Sequence, residues 1–265
     1  MGIFNEFYKK EKPVFTGIAR GVGGFGFGAA VAAASETSGS TFESLLDPLG
    51  DGSGKALYRF NSNLNDESGN YNGTAHSGSP GYTTSNQKLG SAAYDSNTST
   101  SVLLTGLKQP ETAPWTAMWW WRRSNSSGLS INNRMVDFYE NTSTDGTTVV
   151  WENDSSWHFI LRNLEGGEAS AKLVGTGSNL NDDNWHHITV GASGTGNSQT
   201  AFVYVDGVEV DTDTGHNRSD SSEDNGIIVG SGYGGSISGL YDNWRYFNKA
   251  LSGAEIATIY NGENV

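Results

Sequence analysis

From Lys55 to the C-terminus, short stretches of alternating apolar and polar residues are separated by clusters of Gly, Ser, Asn and Asp. A period of two, interrupted by turn residues, marks half-buried β-strands. The pattern predicts strands over Ala56–Phe60, Trp115–Arg123, Arg134–Tyr139, Thr147–Trp151 and Trp157–Arg162. Further strands follow over Ala169–Val174, Trp185–Gly191, Thr200–Asp206, Val208–Asp211, Gly226–Val229 and Ser238–Phe247. In Thr200–Asp206, Ala201, Val203 and Val205 share one face while Phe202 and Tyr204 share the other, so both faces are covered at least in part. Asp206-Gly207 between two such runs predicts a tight hairpin, because a type I′ turn needs positive φ at both central positions.

The period changes near the end. Ser252-Gly253-Ala254-Glu255 is a capping box, and Ile256, Ile259 and Tyr260 make an apolar stripe before Gly262. One short helix therefore closes an otherwise all-β chain. At the other end, Ile3, Phe4, Phe7 and Tyr8 stand at helical spacing with lysines after them, where they suit the helix dipole, and Pro13 stops the run. The organisation expected is an N-terminal helix and Gly-rich arm over 1–35, a turn-rich linker over 36–54, and a two-sheet antiparallel sandwich over 55–265.

Composition narrows the possible functions. The chain is 35% hydrophobic and 11% aromatic, holds no cysteine, and carries a formal charge of −13. Without cysteine, disulfides, thiol redox chemistry and thiolate zinc sites are excluded. Residues 1–34 carry Lys9, Lys10, Lys12 and Arg20 against Glu6 and Glu11, so the acidic charge belongs to the rest of the chain. An acidic body repels phosphate backbones, which argues against nucleic acid as a partner. The small apolar stretch Val14–Ala34 admits three readings: a signal peptide, a membrane-spanning helix or an anchoring arm. Arg20 and the repeated glycines interrupt it, which disfavours the first two and leaves an arm that packs against a partner protein.

Four segments in order carry a family resemblance. They are Ala56-Leu57-Tyr58-Arg59-Phe60 with Asn65-Asp66-Glu67-Ser68-Gly69-Asn70, then Asn184-Trp185-His186-His187-Ile188-Thr189-Val190, then Phe202-Val203-Tyr204-Val205-Asp206-Gly207, and finally Ser238 to Ser252. Together they resemble the laminin-G-like, concanavalin A-like jelly roll. At Asn243 the sequence departs from the acid usual in that family, so no role of that acid carries over. Lys12–Gly28 and Leu45–Gly54 are similar to segments of tailed-phage structural proteins that carry such jelly rolls. The resemblance implies a virion structural protein of tail-fibre or decoration type. Its arm would dock to other virion proteins, and its jelly roll would be presented in many copies or as a homo-oligomer at the virion surface, facing host glycans. A secreted or cell-surface bacterial adhesin is the alternative, and a polysaccharide-active enzyme the third.

The family implies a structural calcium at Asp66 and Asp242, acids at motif positions that come together on the sandwich edge. Read as residues alone, Asp66 fits an Asx-turn and Asp242 a cap on neighbouring backbone. For carbohydrate the candidates are Trp151, Asp154 and Trp157, since two indoles flanking a polar turn give rings for sugar faces and polar atoms for hydroxyls. Trp185 and Trp244 fall in strand motifs and are expected in the core, as is at least one of Trp119, Trp120 and Trp121. His186 and His187, adjacent on a strand, point to opposite faces and cannot chelate together. Catalysis finds little support: Asp137 and Glu140 fall on opposite faces where a retaining glycosidase needs paired acids on one, and Glu209, Asp211 and Asp213, which can share a face, follow a hairpin turn and read as an exposed acidic edge.

Overall fold

The computed structural model describes residue 42 and residues 45–96, 100–107, 113–123, 133–138, 148–153, 156–161, 171–174, 180, 182–195, 198–216, 226–232 and 235–265. The chain divides into two compact units, Met1–Thr37 and Ser38–Val265, and every described residue belongs to the second. The helix and arm expected over 1–35 lie outside the described residues.

In chain order the strands are β1 (Gly54–Tyr58), β2 (Thr74–Ser77), β3 (Gly81–Thr83), β4 (Ala93–Asp95), β5 (Ser101–Thr105) and β6 (Trp115–Arg123). Next come β7 (Asn133–Asp137), β8 (Thr148–Asn153), β9 (Ser156–Leu161), β10 (Ala171–Val174), β11 (His186–Ser193) and β12 (Gln199–Val205). The chain ends with β13 (Val208–His216), β14 (Gly226–Val229), β15 (Ser231–Gly232), β16 (Gly235–Ser236), β17 (Gly239–Phe247) and helix α1 (Gly253–Glu263). One sheet has the order β13-β12-β11-β6-β17-β4-β3, with β1 also on β17; the other has β10-β9-β8-β7-β14-β5-β2. Neighbours along both orders pair antiparallel, as the period-two pattern requires.

Alternation on β6 explains the layers. Trp115, Ala117, Trp119 and Trp121 point into the space between the sheets, where Tyr58, Phe138, Trp157, Phe159, Trp244 and Tyr246 meet them. Each such aromatic, fully withdrawn from water, contributes about 1.5–3 kcal/mol. Met118 and Trp120 point the other way, yet both are buried. The cover is α1. Its Ile256 and Ile259 close a second apolar cluster with Met118, Phe202, Phe247 and Leu251 on the outer face of the first sheet. The helix begins at the expected capping box: the Ser252 side chain accepts from the Glu255 amide, and the Ser252 amide donates to Glu255 Oε2 at 2.8 Å. Asp206 (φ 51) and Gly207 (φ 75) both adopt positive φ in the β12–β13 turn, as the hairpin motif demands.

Phe42 and residues 45–53, read from sequence as part of a linker, pack on this covered face. Leu49 joins the second cluster, the Asn248 amide donates to the Ser53 carbonyl, and the backbone of Leu46 approaches Gly54 too closely for any side chain there.

Candidate functional site

Of the expected carbohydrate residues, Trp157 is displaced. It is 1% exposed and belongs to the core between the sheets, because β9 alternates Trp157 and Phe159 inward. A ring with no exposed face cannot stack on a sugar. Trp151 lies on β8, its backbone paired with Trp157, and Asp154 lies outside the described residues.

Asp66 and Asp242 hold different parts of the chain. Asp66 Oδ1 accepts the Leu57 amide at 2.9 Å, and its Oδ2 accepts the Tyr71 amide and the Ser68 hydroxyl. It ties the turn after β1 back to that strand. Asp242 Oδ2 accepts the amides of Lys88 and Leu89, both at 2.9 Å. Burial pushes the Asp242 carboxyl well above the ordinary carboxylate range, although those amides oppose the shift. Calcium takes six to eight oxygens and favours ionised carboxylates. Here three of the four carboxylate oxygens accept from N–H or O–H donors, Asp242 Oδ1 is buried without a hydrogen-bond partner, and among the described residues no three acids or histidines gather as a metal shell. The pair does not fit calcium.

A buried polar clasp lies beneath the end of α1. Glu263 is fully buried and accepts from Trp120 Nε1 (2.8 Å), Asn243 Nδ2 (2.8 Å) and Arg245 Nε (2.9 Å) and Nη2 (2.6 Å). Arg245 also donates to the carbonyls of Phe42 and Leu45. A bulge between Asp242 and Arg245, with Asn243 at φ 46, turns the strand so that both charged residues reach the outer face. His187 is buried against Trp120 and Tyr260, and desolvation lowers its pKa to about 4. These groups hold the helix to the sheet, and they are sealed from ligand.

An accessible polar rim adjoins the clasp, where five segments distant in sequence meet. Arg122 at the end of β6 donates to the Asp183 carbonyl and, at 3.0 Å, to Asn86 Oδ1. Lys88 stands 4.2 Å over the Trp120 ring and donates to Asn264 Oδ1 at 2.9 Å. Asp182 caps Asn184 through its amide and side chain. His186 bridges Asp182 Oδ1 (3.0 Å) and Asp206 Oδ2 (2.8 Å). Trp185, expected in the core, is instead only half-buried, because it precedes the first residue of β11 and belongs to the rim loop. The Asp182-Asp183-Asn184-Trp185 run is the sequence signal for this place; the strand motif that includes Trp185 concealed it.

Two antiparallel sheets face to face, one covered by a C-terminal helix and edged by a polar rim, define a jelly-roll sandwich module. The model of a family described as the Concanavalin A-like lectin/glucanases superfamily, Laminin_G_3, matches residues 95–257, and the chain belongs to that family. Among solved structures it is similar to the binding domain of Paraclostridial Mosquitocidal Protein 1, at 16% identity and TM-score 0.59, covering 78% of this chain and 51% of that one. Domain 4 of AbnA, an extracellular arabinanase from Geobacillus stearothermophilus solved with arabinotriose, matches at 17% identity and TM-score 0.56, covering 77% of this chain and 97% of the domain. The Botulinum Neurotoxin Type G receptor binding domain matches at 16% and 0.58, covering 79% and 51%. The chain thus spans about half the length of the two toxin domains, and at these identities the likeness is one of fold. Among curated proteins, no sequence matches this chain. No helix among the described residues is long and apolar enough to cross a membrane.

Proposed function

We propose that the chain is a carbohydrate-binding display module whose rim, around Asn86, Arg122, Asn184 and Trp185, takes a glycan. The observation that carries this reading is the rim itself: a partly exposed indole within a loop that presents fixed donors and acceptors together. The arabinotriose complex of a fold relative supports a sugar as ligand. Binding is favoured over catalysis because the buried carboxylates Asp66, Asp242 and Glu263 are each occupied by the protein's own donors. None is left as an acid–base pair across a cleft. The resemblance of the N-terminal segments to tailed-phage structural proteins supports display on a virion, with residues 1–35 docking to other virion proteins and multiple copies facing host-surface glycans. Secretion as a bacterial adhesin is the competing context.

Affinity electrophoresis of the full chain through gels containing host-type polysaccharides tests the binding reading. Retardation is expected with at least one neutral polysaccharide, and Trp185→Ala and Asn86→Ala should weaken it about tenfold, roughly 1.4 kcal/mol, with melting temperature as the folding control. Migration unchanged by every polysaccharide, or full binding by Trp185→Ala, would refute it. Release of new reducing ends would instead reveal an enzyme.

A further inference from the structure

His186 is placed between two carboxylates that belong to different segments. Its Nδ1 lies 2.8 Å from Asp206 Oδ2 in the β12–β13 turn, and its Nε2 lies 3.0 Å from Asp182 Oδ1 in the rim loop. An ionised carboxylate only accepts, and a neutral imidazole carries a single N–H, so one of these contacts would set a lone pair against an oxygen. Two donors require the imidazolium. Neither acid supplies the missing proton. Burial raises Asp182, but bonds from Asn184 and His186 outweigh it and hold the carboxyl at about 2. Asp206 is likewise raised by burial and lowered further by His186 and the His187 amide, to a position below its ordinary value.

The two carboxylates differ in how firmly they are held. Asp206 is fixed from both sides, its amide donating to the His187 carbonyl and its Oδ1 accepting the His187 amide, each at 2.8 Å. Asp182 is exposed, and apart from His186 its hydrogen bonds stay within its own turn, to Asn184. Loss of one proton therefore leaves the remaining N–H on Nδ1 with Asp206 and frees Asp182. The freed loop carries Trp185 and the Asp183 carbonyl to which Arg122 is bonded.

We infer that His186 is a proton-operated clip: charged, it pins the rim loop to the β12–β13 turn, and neutral, it releases that loop and weakens ligand binding there. As regulation of the rim, this rests on the binding reading above. The other groups around the clip do not replace it. Lys88, from the segment after β3, attracts Asp206; Tyr260 of α1 faces Asp206 as a neutral phenol; His187 behind it is uncharged; and Arg122 of β6 holds the loop through a backbone carbonyl. Burial lowers His186, but bonds and attraction from Asp206 and Asp182 prevail and hold it above its ordinary 6.5. A folded-state value above the unfolded one means the clip is closed below about pH 6.5 and is lost as pH rises through the higher folded value.

Ring-nitrogen NMR of the uniformly 15N-labelled full chain, titrated between about pH 5 and 9, tests it. Expected are two protonated ring nitrogens at the acid end, a midpoint above that of a free histidine, and amide shifts of Asp183 and Asn184 that follow the same midpoint. Asp182→Asn should lower the midpoint by about one pH unit. Polysaccharide affinity should fall through that midpoint in the wild type and be flat in Asp182→Asn. A midpoint at or below the free value, or loop amides indifferent to it, overturns the clip. No polysaccharide binding at any pH overturns the rim reading instead, while the ring-nitrogen result still decides the clip.

Discussion

Replacing Glu263 with Ala tests the clasp that joins the last turn of α1 to the first sheet. Arg245 and Glu263 are both fully buried, so the substitution strands a guanidinium in the interior, and removing one partner of a buried pair costs about 3–5 kcal/mol. Trp120 Nε1 and Asn243 Nδ2 lose the same acceptor, each worth about 1–3 kcal/mol if left unsatisfied. These losses share one event, the admission of water as the helix end lifts, so they do not add in full. The net expected is about 4 kcal/mol, which for a domain of this size lowers Tm by about 8–16 °C. Urea unfolding followed by tryptophan fluorescence should show a lower midpoint at unchanged slope. Pairing Arg245→Met with Glu263→Leu should recover much of the loss, because two apolar groups leave no charge stranded. A loss below about 1.5 kcal/mol for Glu263→Ala would show that the clasp contributes little, and no recovery in the double variant would show that stranded charge is not the source of the loss.

Gly262→Ala should cost about 1–3 kcal/mol by thermal melting, since an added Cβ would lie 2.6 Å from the Phe42 ring. Asp242→Asn should become progressively more stabilising relative to wild type from about pH 3 to neutrality. The raised folded-state pKa makes the wild-type carboxyl most favourable when acid and unfavourable as pH climbs through that value, and a Tm difference independent of pH would contradict this. Millimolar calcium should leave Tm unmoved, as should chelation, because three of the four Asp66 and Asp242 carboxylate oxygens already accept from the protein's own donors and no third acid or histidine joins them among the described residues; a calcium-specific rise of several degrees would overturn the fit test.

Where geometry is local, the sequence was readable. Trp115–Arg123 is β6 to the residue, the Ser252–Glu255 box starts α1, and Asp206-Gly207 makes the hairpin. The strands β2 to β5 escaped the pattern because none shows a clear apolar alternation: β2 is exposed throughout, and β3 and β4 are only three residues long. Trp157 was misplaced because a polar turn beside it suggested a rim, whereas strand parity decides which face a residue takes. The clasp was hidden by its range in sequence, although two residues hint at it. Arg245 sits in a strand buried along its whole length, and Glu263 sits at the helix end whose dipole disfavours an acid. Each calls for a partner. The rim is harder still, because no single segment contains it.

The hold of Arg245 on the carbonyls of Phe42 and Leu45 has a mechanical consequence. A tug applied upstream of residue 42 reaches a guanidinium that is already cross-tied to the last helical turn, before it reaches β1. Load is thus shared between both extremities of the module at the outset, in the manner of a drawstring, and peeling of the first strand is delayed until that knot gives way.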